Sequence, residues 1–350
     1  MCKKIFGLIL TVFFVATGFS TVDAAELSYD KLYKQRQILN KRLIENPQDI
    51  DAHIERGNIT LQLFAMNRVD GNTAKDDFDS VLRLKPDCAD AYYGLGEYFR
   101  LFGTRMNVVF GESVINQYIA QQYGKAKYDF QTFLKSQNNA ALFAYSMAIK
   151  NAKKNSGKFY IARGDMYSYM NNRSSAIADY TNAINNDKQN FFAYLKRGIV
   201  NAYYDSQQSI EDYTVAIDLL NKYDAKESYG VIRPISSVSS VYTEATYGDL
   251  LTTAHFNRGE MWQRTNEPEK AIQDFSNALV LQPKDTNILK RRAQTYSTIK
   301  QYDNAVADYD KILHIEPKNK TVKEMRKETL KQKKDYDKEI KKSKKAGDES

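Results

Sequence analysis

The feature that most constrains this chain is a period. The stretch AHFNRGEMWQRTNEPEKAIQDFSNALVLQPKD, from Ala254, lies over ILKRRAQTYSTIKQYDNAVADYDKILHIEPKN, from Ile288, at an interval of 34 residues. Gly259 falls on Ala293, Trp262 on Tyr296, Ala271 on Ala305, Phe275 on Tyr309, Ala278 on Ile312 and Pro283 on Pro317. Self-similarity of this length marks a supersecondary unit repeated along an array. Small residues such as Gly259 and Ala271 let two antiparallel helices approach, and Trp262, Phe275 and Leu281 fill the space between and beneath them. Pro283 cannot continue a helix, so it closes the second helix and starts the next unit. One hairpin cannot bury its apolar face alone, so neighbours must stack.

The same pattern runs upstream. The unit from Gly157 carries it through Gly164, Tyr167, Ala176, Tyr180 and Ala183, and the unit from Phe191 keeps Gly198, Tyr213 and Ala216 with a turn one residue shorter. Two earlier units are degenerate. One holds Gly57, Ala74, Phe78, Val81 and Pro86 with about five extra residues between its helices. The other holds Tyr92, Gly96 and Phe99, then Ala126, Phe130 and Phe133 across a longer insertion. A basic residue precedes the small one in five units (Arg56, Arg163, Arg197, Arg258 and Arg292), and an Asp precedes the second-helix aromatic in the same five (Asp77, Asp179, Asp212, Asp274 and Asp308). The spacing predicts an Arg-to-Asp contact between the two helices of each. Paired charges between packed helices normally satisfy one another, so we read the series as fixing hairpin register rather than as a ladder for anions.

This pattern resembles the tetratricopeptide repeat family over most of the sequence. The resemblance implies an all-α fold, a right-handed superhelical solenoid of antiparallel helix pairs with about six repeats and inserted loops. The expected organisation is a signal peptide at 1–24, a capping helix at 25–50, two degenerate units at 51–138 and an extra helix at 139–156. Two units then follow at 157–220, a Ser/Tyr-rich insertion at 221–251, two units at 252–319, and a capping helix with a basic tail at 320–350. First helices of the family line a concave face that holds an extended peptide or a partner's helix. By register, the candidates here are Asp165, Tyr169, Tyr203, Glu260, Gln263, Arg264, Lys290, Gln294 and Thr298. Some members grip a partner's C-terminal carboxylate with Lys, Asn and Arg. Asn257, Lys290 and Arg291 are present, but Leu195 and Ile199 stand where that set needs polar groups, which argues against such a clamp.

Charge is uninformative until it is located. Of the formal +8, the segment through Ala24 carries +1 and residues 318–350 carry +6, leaving +1 for the body. A nucleic-acid protein spreads its basic face over the folded core, so no nucleic-acid partner is expected; the tail offers at most weak contact with a membrane or cell wall. At the other end Lys3 and Lys4 precede the apolar run Ile5–Val15, and Val22-Asp23-Ala24 supplies small residues for cleavage after Ala24. The chain therefore reads as exported, to the periplasm or surface of a bacterium. Retention of the segment as a membrane anchor is the alternative, because the run nears the lower length for a spanning helix. Cys88 would then stand alone, without an intramolecular disulfide.

Convergent chemistry is missing. His53, His255 and His314 lie far apart and have no metal-ligand spacing; no nucleophile elbow is present; and Gly94-Leu95-Gly96 follows no strand, so it is not a phosphate loop. No enzymatic activity, cofactor or metal is expected. The reading is a scaffold whose partner is a protein or peptide. A glycan-binding or hydrolytic role for the 221–251 insertion is the competing one.

Overall fold

A computed structural model describes residues 21–66, 68–103, 130–154, 156–222 and 247–348. Residues 1–20, most of the first insertion (104–129) and most of the Ser/Tyr-rich insertion (223–246) lie outside the described residues, and so do the readings placed on them. The described chain is helical, with no strand among the described residues, and it divides into two compact units, Met1–Gln137 and Asn138–Ser350.

In the first unit, α1 (Thr21–Glu45) packs on α2 (Ile50–Ala65), which pairs with α3 (Asn72–Leu84). Leu39 and Leu43 of α1 bury against Ala52, Ile59 and Leu63 of α2, closing one end of the stack. Asp49 caps α2 by accepting from the Ala52 amide, which satisfies one of the helix's orphan donors. Pro86 stands just beyond the C-cap of α3. A helical stretch, α4, occupies 89–103. Its Gly94 has no room for a side chain: a Cβ there would sit 2.3 Å from the Phe78 ring, and one at Gly57 would sit 2.7 Å from the same ring. Sequence reasoning assigned the close approach in α4 to Gly96; the structure shows one at Gly94.

Among the described residues the second unit holds four helix pairs: α6 (Gly157–Tyr169) with α7 (Arg173–Asn186), α8 (Phe191–Asn201) with α9 (Ser206–Lys222), α10 (Tyr247–Arg264) with α11 (Pro268–Leu281), and α12 (Thr286–Thr298) with α13 (Tyr302–Ile315). Each pair packs on the next, so the unit is a solenoid of antiparallel hairpins. A final helix, α14 (Lys320–Asp348), packs on α13. The three-residue turns within pairs share one device. Asn171, Asn266 and Lys300 adopt positive φ, 58°, 61° and 63°. The next amide reaches back five residues, as from Glu267 to the Trp262 carbonyl at 2.8 Å, a helix-ending geometry that satisfies otherwise orphaned carbonyls.

One helix differs from its expected form. The end of the second degenerate unit and the extra helix expected at 139–156 are one continuous helix, α5 (Phe130–Asn151), because neither Pro nor Gly interrupts it. Its second half carries Ala141, Tyr145 and Ala148, all fully buried, at the spacing of Ala176, Tyr180 and Ala183. It is a second helix in repeat register that lacks the Asp.

At the other end, α14 keeps the register of a first helix. Val322, Arg326 and Thr329 lie 34 residues after Ile288, Arg292 and Thr295, and Val322 is buried with α12 and α13 residues. Lys327 occupies the position of Gly259 and Ala293, so α14 lacks the small residue that lets a second helix approach closely in those units.

Candidate functional site

The five Arg–Asp contacts expected from the repeat are all present. Arg56–Asp77, Arg163–Asp179, Arg197–Asp212, Arg258–Asp274 and Arg292–Asp308 are two-pronged, each Arg donating from Nε and Nη2 to its carboxylate over 2.6–3.2 Å. Sequence reasoning missed a third contact. Each Nη1 donates backward, to Asn40, Ser146, Thr181, Thr214 and Ser276 respectively, at 2.9–3.0 Å. From Ser146 onward the acceptor is a hydroxyl directly after the second-helix aromatic, so the signal was legible as Tyr-Ser, Tyr-Thr and Phe-Ser. Each Arg therefore ties three helices together, and its fork geometry suits such bidentate pairing. In α14, Arg326 pairs with Asp310, at the hydroxyl's position.

Two of these carboxylates differ electrostatically. Burial pushes the Asp274 carboxyl up, but donors from Arg258 and His255 outweigh it and hold the group below its ordinary range. At Asp212 burial prevails over Arg197 and Asn201, and the carboxyl is raised. His255 Nδ1 lies 2.8 Å from Asp274, and His53 Nδ1 lies 2.6 Å from Asp77. The histidines thus belong to the scaffold, and among the described residues no group of three His, Cys, Asp or Glu side chains could hold a metal.

The open surface lies on the first helices. In the second unit α10, α12 and α14 line a groove of about 820 Å³. From α10 come Asp249, Thr252, Thr253 and Phe256; from α12 come Asn287, Ile288, Lys290, Arg291 and Gln294; from α14 come Thr321 and Met325. Gln282 and Asp285 complete the wall. Both acids are committed: Asp249 accepts from Gln282 at 2.6 Å, and Asp285 caps α12 through the Asn287 and Ile288 amides. Among the described residues Lys290, Gln294, Thr321 and the Asn287 side chain make no hydrogen bond or ion pair, and the Thr252 hydroxyl is buried without a partner. Arg291 Nε lies 2.8 Å from Glu260 Oε1, an ion pair whose alignment leaves that oxygen without a hydrogen bond.

Of the nine candidate residues, Lys290 and Gln294 line the groove and Glu260 meets it through Arg291. Asp165 does not face an open groove; it accepts from the Tyr180 hydroxyl at 2.8 Å and from the buried Lys196 ammonium at 3.1 Å. That arrangement, with burial first, raises Tyr180 well above the ordinary phenol value. Gln263 is bonded to Thr295, and Arg264 to the Ala202 carbonyl. Tyr169, Arg264 and Thr298 end their helices, so they stand at the rim. Tyr203 is not on a first helix. The shortened α8 stops at Asn201, and Tyr203 lies exposed in the turn, with Arg173 4.7 Å above its ring. The residues sequence reasoning missed, Thr252, Phe256, Asn287 and Thr321, carry no repeat signature.

A profile of the family described as tetratricopeptide repeat matches residues 290–319. No curated protein matches the sequence. Among solved structures, a chain of the APC/C hetero-tetramer Cut9-Hcn1 is 16% identical with a TM-score of 0.52, over 86% of this chain and 46% of that one; this chain thus spans under half of that relative's length. YrrB, described as a TPR protein with an unusual peptide-binding site, is 15% identical with a TM-score of 0.42, over 72% and 95% of the two chains. Yeast Tom70 is 13% identical with a TM-score of 0.40, over 89% and 60%. The 34-residue register, the matched segment and the shared architecture together give this chain a tetratricopeptide-repeat fold.

Proposed function

We propose that this chain is an exported scaffold, not an enzyme, and that it holds an extended peptide segment of a partner protein in the α10–α12–α14 groove. The observation that carries the reading is the set of polar groups there without partners. Buried polar groups are normally hydrogen-bonded, and Thr252 Oγ1 is not. An extended peptide presents a donor and an acceptor at every residue. Asn287 and Gln294 amides can bond that main chain, while Phe256, Ile288 and Met325 supply an apolar floor for side chains. Pockets of this mixed kind, mostly apolar with a few placed polar groups, suit ligand binding.

The test is photo-cross-linking in the native cell, with a photoreactive residue replacing Gln294 in one strain and Val280 in another. Val280 is 81% exposed on a second helix. A discrete protein adduct from the groove position alone supports the reading. Adducts from Val280 alone, or from neither position, would overturn it.

Export rests on Lys3, Lys4, the Ile5–Val15 run and the small residues before Ala25. Among the described residues no helix is long and apolar enough to cross a membrane, so an anchor, if retained, involves residues 1–20. Sequencing the N-terminus of the chain recovered from its cell separates the two: Ala25 first means a cleaved signal, whereas the uncleaved residues mean a membrane-anchored adaptor.

A further inference from the structure

We infer that the groove selects a peptide with an acidic side chain at its centre, and that Glu260 sets the strength of that selection by occupying Arg291. The inference rests on the groove being the peptide site. Four charged side chains line it, two of each sign, yet their availability is unequal. Asp249 is held by Gln282 and Asp285 by the start of α12, so neither is free to draw a cation. Lys290 has no ion-pair partner among the described residues; its charge acts only at longer range on Glu316. Arg291 is 44% exposed and is met by one carboxylate oxygen of Glu260. The charge open to a ligand is therefore positive, and it lies on adjacent residues of α12.

Glu260 lies outside the groove wall, on α10 beyond Phe256. Its Oε1 is buried, 2.8 Å from Arg291 Nε, and makes no aligned hydrogen bond. A carboxylate so placed satisfies Arg291 incompletely, unlike the two-pronged pairs of the scaffold. An incoming carboxylate can take the remaining N–H groups of Arg291 while Lys290 supplies a second contact. Glu260 competes with it by charge. Removing that competition strengthens acidic ligands and leaves neutral ones unchanged. Neutralising Lys290 and Arg291 together removes the preference. Each change is expected to be up to about fivefold, the upper end for a half-exposed ion pair.

The experiment uses the full chain with a photoreactive residue replacing Gln294 and three fluorescein-labelled decapeptide pools. The pools are random except for a central pair, Glu-Glu, Gln-Gln or Lys-Lys. Expected is a labelling yield falling in that order, a higher Glu-Glu yield in Glu260→Gln, and equal yields in Lys290→Gln/Arg291→Gln. Circular dichroism melts confirm that each variant is folded. Equal yields from all three pools on the unaltered groove would leave the peptide site standing and overturn the acidic preference. An unchanged Glu-Glu yield in Glu260→Gln would overturn the role given to Glu260. No labelling from any pool would overturn the groove itself and the selectivity with it.

Discussion

Replacing Asp274 probes the ion pair that recurs between the two helices of five repeats. Its carboxylate is 3% exposed and accepts three hydrogen bonds of 2.8 Å, from Arg258 Nε, Arg258 Nη2 and His255 Nδ1. Asp274→Ala strands a guanidinium that is only 17% exposed. Breaking a buried pair from one side costs about 3–5 kcal/mol. Arg258 keeps its contact to Thr214 at 3.0 Å and water can enter the vacated space, so the lower end, about 3 kcal/mol, is expected. The double change Arg258→Met/Asp274→Leu removes both charges and fills the volume, and should fall within about 1 kcal/mol of the natural chain.

The assay is urea unfolding followed by circular dichroism, with native-state hydrogen exchange on α10 and α11. Exchange is needed because stability in repeat arrays is partly local. A cost below about 1 kcal/mol for Asp274→Ala, or a double variant worse than the single, would mean that the pair does not fix the hairpin. Asp212 supplies the internal contrast. Its raised carboxyl shows a charge less fully supported, so Asp212→Asn should cost less than Asp274→Asn at neutral pH. The pH dependence has opposite signs. A lowered folded value means that Asp274 contributes stability above the ordinary carboxylate value, lost as pH falls through the folded value. A raised one means that Asp212 contributes below the ordinary value, and this is lost as pH rises through the folded value. Stability profiles of the two Asn variants between about pH 3 and 6 should therefore depart from the natural chain in opposite directions, and parallel profiles would sink the distinction.

Three further outcomes are expected. Gly259→Val should cost about 1–3 kcal/mol in a thermal or urea melt, because even a Cβ would lie 2.7 Å from the Phe275 ring, and Gly94→Val should cost more, given 2.3 Å to Phe78. Asp310→Ser restores a hydroxyl where the inner repeats have one, but it leaves Arg326 without its counter-charge; a loss of at most about 1 kcal/mol, confined to hydrogen exchange in α14, is expected. Lys300→Gly relieves the positive φ of 63° but removes the ammonium that lies 4.9 Å from the Tyr336 ring centroid, so the net gain should stay below about 1 kcal/mol, and Lys300→Asn should separate the two effects.

What could be read from the sequence follows from what repeats. Scaffold residues recur because each hairpin solves the same packing problem, so Gly259, Phe275, Arg258 and Asp274 announce themselves at an interval of 34. The same logic misled where the interval slips. Tyr203 has the register of Tyr169, Arg264 and Thr298, six residues after the Arg, yet α8 ends at Asn201 and Asp205 caps the next helix through the Gln208 amide. A one-residue deletion moved the helix end, not the numbering. The second-helix pattern in α5 is hard to see because it lacks the Asp, with Ala144 standing directly before Tyr145. The groove was hardest to read, for a different reason. Most of its residues sit five, two and one positions before the Arg and two after it, on three successive first helices, and α12 differs there from both neighbours: Asn287 against Thr253 and Thr321, Lys290 against Phe256 and Glu324, Arg291 against Asn257 and Met325, Gln294 against Glu260 and Glu328. A surface that must recognise something particular cannot repeat, because each helix meets a different part of the ligand. Period therefore identifies the frame, and the site is found among the positions on the same face where the period is broken. By that criterion Asn287, Lys290, Arg291 and Gln294 stand out once stacking shows which face is open.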